Sequence, residues 1–447
     1  MAYARLRINK YLEGGRLTGG AIVDVRRLDN RGGLGARVTR ATVPIGESGV
    51  ESRVDLDPGT YEFTAILPSG DVLSNVTEVD TRPDGVPVVF EIGHSSHEWM
   101  SWQHALGNVV GRETLHLMRL QGAKVHWSLV GDVVAEWFTL PTFVGSRDPL
   151  ATILTAHLTS ATDYRPVPII IPEPMQTLTS QNEPPFKVYS IPSSSLFAYD
   201  NPNFKRSYAL VGDSSYRQML CVLPYPWRKL SGEEVGVELL IGPDQPLDAD
   251  ESMVQIDVPW SVSTIARDDR VASVLSYFAA GDAAAATFLA SEFPATTALD
   301  LLSTKMANPF AASAGAYVLM DQWLRKSSIY PKAIAWLKWI DNLAKWFPWL
   351  TDGEILRGWV ALAGRGGESA VEMARGAFVE AERRGLPVFT AGVRRLTDGL
   401  TRIANQDKAD GRDDRVVVDA LERIRRVAWS TDPRFPFTTI RLWFGAK

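Results

Sequence analysis

The chain has 447 residues, more than one hydrophobic core usually organises, so two or three domains are expected. It is 45% hydrophobic and 22% charged, ordinary values for a soluble globular protein, and its net charge of −5 gives no electrostatic case for binding nucleic acid. A single cysteine excludes an intramolecular disulfide and any cysteine-based zinc cage.

The first fifteen residues, MAYARLRINKYLEGG, carry charges where a signal peptide needs an apolar centre. No apolar run approaches the ~20 residues of a membrane-spanning helix. A cytoplasmic protein without a transmembrane span is therefore expected. Residues 1–94 then read as a small antiparallel β-sandwich. AIVDVRRL, SRVDL, TYEFTAIL, VLSNVTEV and PVVFEI are short, rich in β-branched and aromatic residues, and separated by Gly, Pro, Asp and Asn. Alternation is clearest at Tyr61, Phe63, Ala65 and Leu67, with Glu62, Thr64 and Ile66 on the other face.

The stretch Leu56-Asp57-Pro58-Gly59-Thr60-Tyr61-Glu62-Phe63 is a turn followed by a strand whose first ring points inward. It resembles the edge of carboxypeptidase-regulatory-like (prealbumin-like) sandwich modules, over at most the first ~95 residues. The resemblance implies a non-catalytic accessory or interaction domain.

Residues 95–268 read as a second β-rich domain, entered by a linking helix. Strand-like runs are VHWSLVGDVVAEWFTL, PVPIIIPEP, FKVYSI, YALVGD, QMLCVLPYPW, VGVELLIG and MVQIDVPW. The segment 172–208 is polar and proline-dense. It is expected to be an extended arm or loop, and an exposed target for a partner protease.

All six histidines fall between His94 and His157, three of them in GHSSHEWMSWQHALG. Ser95 and Glu98 have capping-box spacing, which predicts a short helix with His97 and His104 on one face. A zinc protease would show H-E-x-x-H, whereas this stretch reads H-S-S-H-E. No structural metal and no cofactor are expected; a metal-dependent hydrolase built on the 94–157 cluster is the alternative.

Other chemical signals are weak. Gly212-Asp213-Ser214-Ser215 lacks the glycines that shape a serine-protease oxyanion hole and reads as a turn. Cys221 lies in the apolar run Met219–Leu223 and reads as a core residue rather than a nucleophile.

From residue 269 to 447 the hydrophobic period becomes 3.6. Helices are predicted near 269–280, 283–292, 296–306, 310–325, 331–346, 353–364, 368–384, 388–405 and 414–428. Asn308 caps the fourth with Pro309 in its first position, Thr351 and Glu354 suggest a capping box, and Gly281, Gly364 and Gly385 stand at helix ends. Short connections make consecutive helices antiparallel neighbours. The tail FTTIRLW is expected to dock back as a strand.

The expected fold class is therefore β plus α: two β-sandwich-like domains followed by an all-helical stack of hairpins. The expected function is that of a non-enzymatic adaptor or scaffold that binds another protein through the stack. Trp336, Trp339, Trp346, Trp349 and Trp359 are the expected anchors, since Trp dominates interface hot spots. Trp349, thrown outward by Pro348, is expected to be the most exposed. The Trp-rich stretch 333–350 also allows a second alternative, a protein that lies on a membrane surface.

Overall fold

The computed structural model describes residues 2–92 and 132–442, apart from short intervals of which 11–18, 46–50, 67–71, 142–146, 161–168, 193–198, 200–203, 244–259, 276–297 and 326–334 are the longest. It is a mixed β and α molecule, with β-sheets in its N-terminal part and a helical stack in its C-terminal part.

The first sheet holds β1 (Ala2–Lys10), β2 (Gly19–Leu28), β3 (Leu34–Ile45), β4 (Ser52–Leu56), β5 (Gly59–Ile66), β6 (Val72–Val79) and β7 (Val86–Ile92). β1 lies between antiparallel β4 and parallel β7 and meets β3 only at Ile8 and Ile45; β3, β2, β5 and β6 continue in that order. Alternate residues point inward. Ala4, Leu6 and Ile8 of β1, Val23 and Val25 of β2, Tyr61 and Phe63 of β5, and Val88 and Phe90 of β7 fill one core of their own. Tyr61 is buried as the turn-strand motif requires, and its hydroxyl donates to Asp57 O at 2.8 Å. β1 and β3 went unread in the sequence because Arg5, Arg7, Arg37 and Arg40 interrupt their apolar pattern. Those arginines occupy the non-core positions of each alternation.

The next strands are β8 (Val134–Pro141), β9 (Gln176–Thr177), β10 (Ser180–Glu183), β11 (Phe186–Ser190), β12 (Lys205–Gly212), β13 (Gln218–Leu223), β14 (Trp227–Arg228), β15 (Glu234–Val235), β16 (Val237–Pro243) and β17 (Trp260–Ala266). One sheet runs β13-β12-β8-β9, a second runs β10-β11-β16-β17, and β14 pairs with β15. The segment 172–208 is thus no bare loop where it is described. It supplies β9, β10, β11 and the start of β12, and Val188, Tyr189, Ile191 and Phe204 are buried. Lys187 Nζ and Tyr189 Oη both donate to Val133 O, which ties it down further.

A helix sits where only strands were expected: α1 (Pro149–Ser160). Its start is nonetheless conventional. Asp148 accepts from Leu150 N at 2.8 Å, and Pro149 fills the first turn.

The described helices of the stack are α2 (Ala298–Ser303), α3 (Pro309–Arg325), α4 (Ala335–Trp346), α5 (Thr351–Ala363), α6 (Gly367–Arg384), α7 (Thr390–Ala409) and α8 (Arg415–Ser430). Asn308 caps α3, its Oδ1 accepting from Ala311 N at 2.9 Å. The expected Thr351–Glu354 box is not formed. Thr351 already lies inside α5 and donates to Gly385 O, while Glu354 is drawn to Arg384 and Arg357 at 2.6 Å each. Phe378 of α6 is gripped by glycines on two neighbours, since a Cβ at Gly358 or Gly399 would stand 2.6 or 2.5 Å from its ring.

The tail docks as expected: β18 (Thr439–Arg441) extends the five-stranded sheet beyond β13. Strands give way to helices between Ala266 and Ala298, around the expected boundary at 268. The hydrophobic core crosses that point without interruption, running from Val133 through Cys221, Val262 and Phe310 to Leu442. β12, β13 and β17 are buried on both faces for this reason, and so read as continuous apolar runs instead of alternating ones. Ile22, facing outward from the first sheet, joins this larger core.

Candidate functional site: a cleft between the last two helices

The N-terminus of α7 is built from a distance. Its N-cap residue, Phe389, has no capping side chain. Asp352, on the first turn of α5, supplies the carboxylate instead, accepting from Val388 N at 2.7 Å, Phe389 N at 3.4 Å and Tyr317 Oη at 2.9 Å. Burial pushes the Asp352 carboxyl up to about 6, against the pull of those donors and of nearby Arg206. Gly392 is the helix residue beside it; a Cβ there would stand 2.7 Å from both Asp352 Oδ1 and Tyr317 Oη.

Arg206 binds the preceding turn to the β-sheet. It is buried, donates to Arg384 O at 3.0 Å and to Leu386 O, and lies 3.5 Å from Asp148. Gly385 takes a left-handed φ of 104° at the end of α6, and a Cβ there would collide with Asp148.

α8 starts on Asp414, whose side chain accepts from Val416 N and Val417 N. After Thr431 the chain crosses back over the start of α7. Pro436 O accepts from Thr390 N at 3.0 Å, and Thr438 N donates to Val388 O at 2.9 Å. This crossing segment, the first turns of α7 and the last turn of α8 enclose a cleft of about 260 Å³. Val393, Ala428, Pro433, Phe435 and Pro436 make its apolar wall; Thr390, Arg394, Thr397 and Asp398 bring polar groups to it.

Two of those groups are charged: Arg394 and Asp398, the second of which feels the charge of neighbouring Arg395. Arg394 and Asp398 are exposed and one turn apart on α7, yet neither has a hydrogen-bond or ion-pair partner among the described residues. The base precedes the acid, the less favourable order for pairing at this spacing. The neighbouring Arg395 behaves otherwise: it is bound to Asp321 and stacks near Trp359. Thr390 adds a buried hydroxyl without a hydrogen-bond partner. Beside the cleft, next in sequence to Ala428, Trp429 is 84% exposed.

The tryptophans singled out in the sequence lie elsewhere. Trp349 is only 2% exposed, which corrects the expectation that it projects into solvent. Pro348 does end α4, but the turn directs the indole inward. It stacks on Phe204 at 3.9 Å and donates through Nε1 to Tyr199 O at 2.9 Å. Trp359 is buried between α5 and its neighbours, its Nε1 donating to Arg395 O. Trp336 packs edge-on against Trp323 at 5.9 Å. Trp339 is half-buried and Trp346 is 48% exposed. Lys305 joins this last pair, its ammonium 5.5 and 5.2 Å from the two ring centres. The five residues therefore form no single surface.

Of the histidines, His94, His97, His104, His116 and His126 lie outside the described residues. His157, on α1, has Nε2 3.0 Å from Leu442 O. Among the described residues no group of three or more His, Cys, Asp or Glu is placed to hold a metal ion. Cys221 is fully buried, and burial pushes its thiol up to about 12. The Gly212–Ser215 run is a turn, Asp213 accepting from Ser215 N and Arg217 N. No described helix is long and apolar enough to cross a membrane.

Sequence reasoning passed over the cleft. Its signal was the Pro-x-Phe-Pro run at 433–436, a proline-bounded aromatic just beyond a helix end.

Residues 273–441 match the family model described as the Y4kD C-terminal domain, less than half of the chain. The cleft and Trp429 lie within the matched residues. Comparison with curated proteins and with solved structures finds no match.

Proposed function

We propose that the chain is a non-enzymatic interaction protein, of adaptor or scaffold type, whose C-terminal helices recognise another protein through the α7–α8 face. The observation that carries this reading is Trp429. Trp429 presents 84% of its side chain to solvent at the end of a well-packed helix, and Trp leads the residues that anchor interfaces. Val418, also exposed, lies eleven residues earlier, three turns of α8, and therefore on the same helix face. The resemblance of the first ~95 residues to non-catalytic accessory modules agrees with this assignment. The rival reading of the Trp-rich stretch 333–350 as a membrane-surface element has less support, because Trp336, Phe347 and Trp349 within it are buried and, of its aromatic residues, only Trp346 is largely exposed.

A photocrosslinking amino acid placed at 429 of the full-length protein, in the cells that make it, tests the reading. A discrete protein adduct at 429, absent when the same group replaces exposed Met373 on α6, is expected. The same adducts at both positions, or none at 429, would overturn it.

A further inference from the structure

The cleft at the start of α7 has a chemistry of its own, separate from the exposed indole beside it. Its lining presents one guanidinium and one carboxylate, neither in a hydrogen bond or close ion pair among the described residues, on one side of an apolar wall; Asp398 also lies in the field of Arg395. Arg394 stands nearer the amino end of α7, where the helix dipole favours an anion; Asp398 stands one turn further along, a rise of about 6 Å.

A ligand matched to this arrangement carries an anionic group, a cationic group a few ångströms away, and a compact apolar body. The volume, about 260 Å³, falls below the usual range of sites for drug-sized molecules and suits something smaller. We propose that the cleft binds a free α-amino acid with an apolar side chain. Its carboxylate meets Arg394, its ammonium meets Asp398, and its side chain lies against Ala428, Pro433 and Pro436, the lining residues with accessible apolar surface. A peptide terminus fits less well, because a C-terminus leaves Asp398 facing no cation and an N-terminus leaves Arg394 facing no anion. The proposal is independent of the partner assignment, since it concerns Arg394 and Asp398 and not Trp429.

Isothermal titration of the full-length protein with phenylalanine, phenylalaninamide and N-acetylphenylalanine tests it. Phenylalanine should bind with millimolar or better affinity. Removing its carboxylate or its ammonium should weaken binding at least tenfold, and Arg394→Gln should remove the preference for phenylalanine over the amide. Asp398→Asn should likewise remove its preference over the N-acetyl compound. Both side chains are exposed, so these variants should keep the wild-type melting temperature. Equal binding of all three compounds would reduce the cleft to an apolar patch. Preference for N-acetylphenylalanine would point to a peptide C-terminus, and no binding of phenylalanine, leucine or tryptophan at 10 mM would remove the site; each result overturns the proposal.

Discussion

Two corners of the helical stack share one device. At each, a helix ends on or next to a tryptophan and a proline follows within a few residues. At the α4–α5 corner the turn after Trp346 sends Trp349 inward, where it stacks on Phe204 and packs near Phe310 and Tyr199. At the end of α8 the proline-bounded segment 433–436 crosses over the start of α7 and leaves Trp429 outside. The difference lies in what the following chain has to cover. The first corner faces the β-sheet, so Phe347 and Trp349 become core, while Trp346 stays half-exposed on the outer side of α4. The second faces solvent, and the crossing segment closes over a cleft instead of over an indole. Trp349 therefore marks where the stack meets the sheet, and Trp429 marks a face the stack leaves open.

The largest effect should come from Trp349→Ala. Losing a buried indole, its stack and its hydrogen bond should cost about 4 kcal/mol in chemical denaturation. A loss below about 1 kcal/mol would mean that the two corners do not differ as described.

Arg206→Ala should follow, at about 3 kcal/mol, because it removes the buried donor to the carbonyls of Arg384 and Leu386 and the charge partner of Asp148 where the stack meets the sheet. The same denaturation experiment measures it, and an unchanged midpoint would show that this tie contributes nothing.

The Asp352 carboxyl should make stability depend on pH. Its folded value, about 6, lies above the ordinary 3.8, so the folded state holds the proton more tightly than the unfolded chain. That contribution is fully present below about pH 3.8 and is lost as pH rises through 6, on the order of 3 kcal/mol in all and about 2 kcal/mol of it between pH 4 and pH 7. The stability difference between wild type and Asp352→Asn, followed from pH 4 to pH 7, should shift by that amount in the direction of a less favoured wild type. A flat difference would show that the donors around Asp352 cancel its burial.

The smallest effect on stability should be that of Trp429→Ala, within about 0.5 kcal/mol, since the side chain is almost wholly exposed. A larger loss would move Trp429 to the side of the core and remove the contrast between the corners.

Much of this architecture was legible in the sequence. Five of the seven strands of the first sheet, the caps at Asn308 and Gly385, most helices of the stack and the docking of the tail followed from period and punctuation. β1 and β3 did not, because arginines at their non-core positions dilute the apolar signal. α1 did not, because it lies among strands, although Asp148-Pro149 announced it. The site was less legible than the fold. Trp349 in the turn after α4 and Trp429 in the last turn of α8 are the same residue type near a helix end, and what lies across from each decides its burial. Long-range geometry of that kind leaves no local pattern. The pairing of Asp352 with a helix start 36 residues away is another instance.

The division between a packed corner and a recognising one can be measured on a single purified complex. Once the protein crosslinked at 429 is identified, its affinity for the full-length wild type, Trp429→Ala and Trp346→Ala should be determined side by side. Trp429→Ala should weaken binding by about 30-fold, the equivalent of about 2 kcal/mol, with an unchanged melting temperature, while Trp346→Ala leaves affinity alone. Weakened binding in Trp346→Ala with full affinity in Trp429→Ala would contradict the account and move recognition to the helix 335–346.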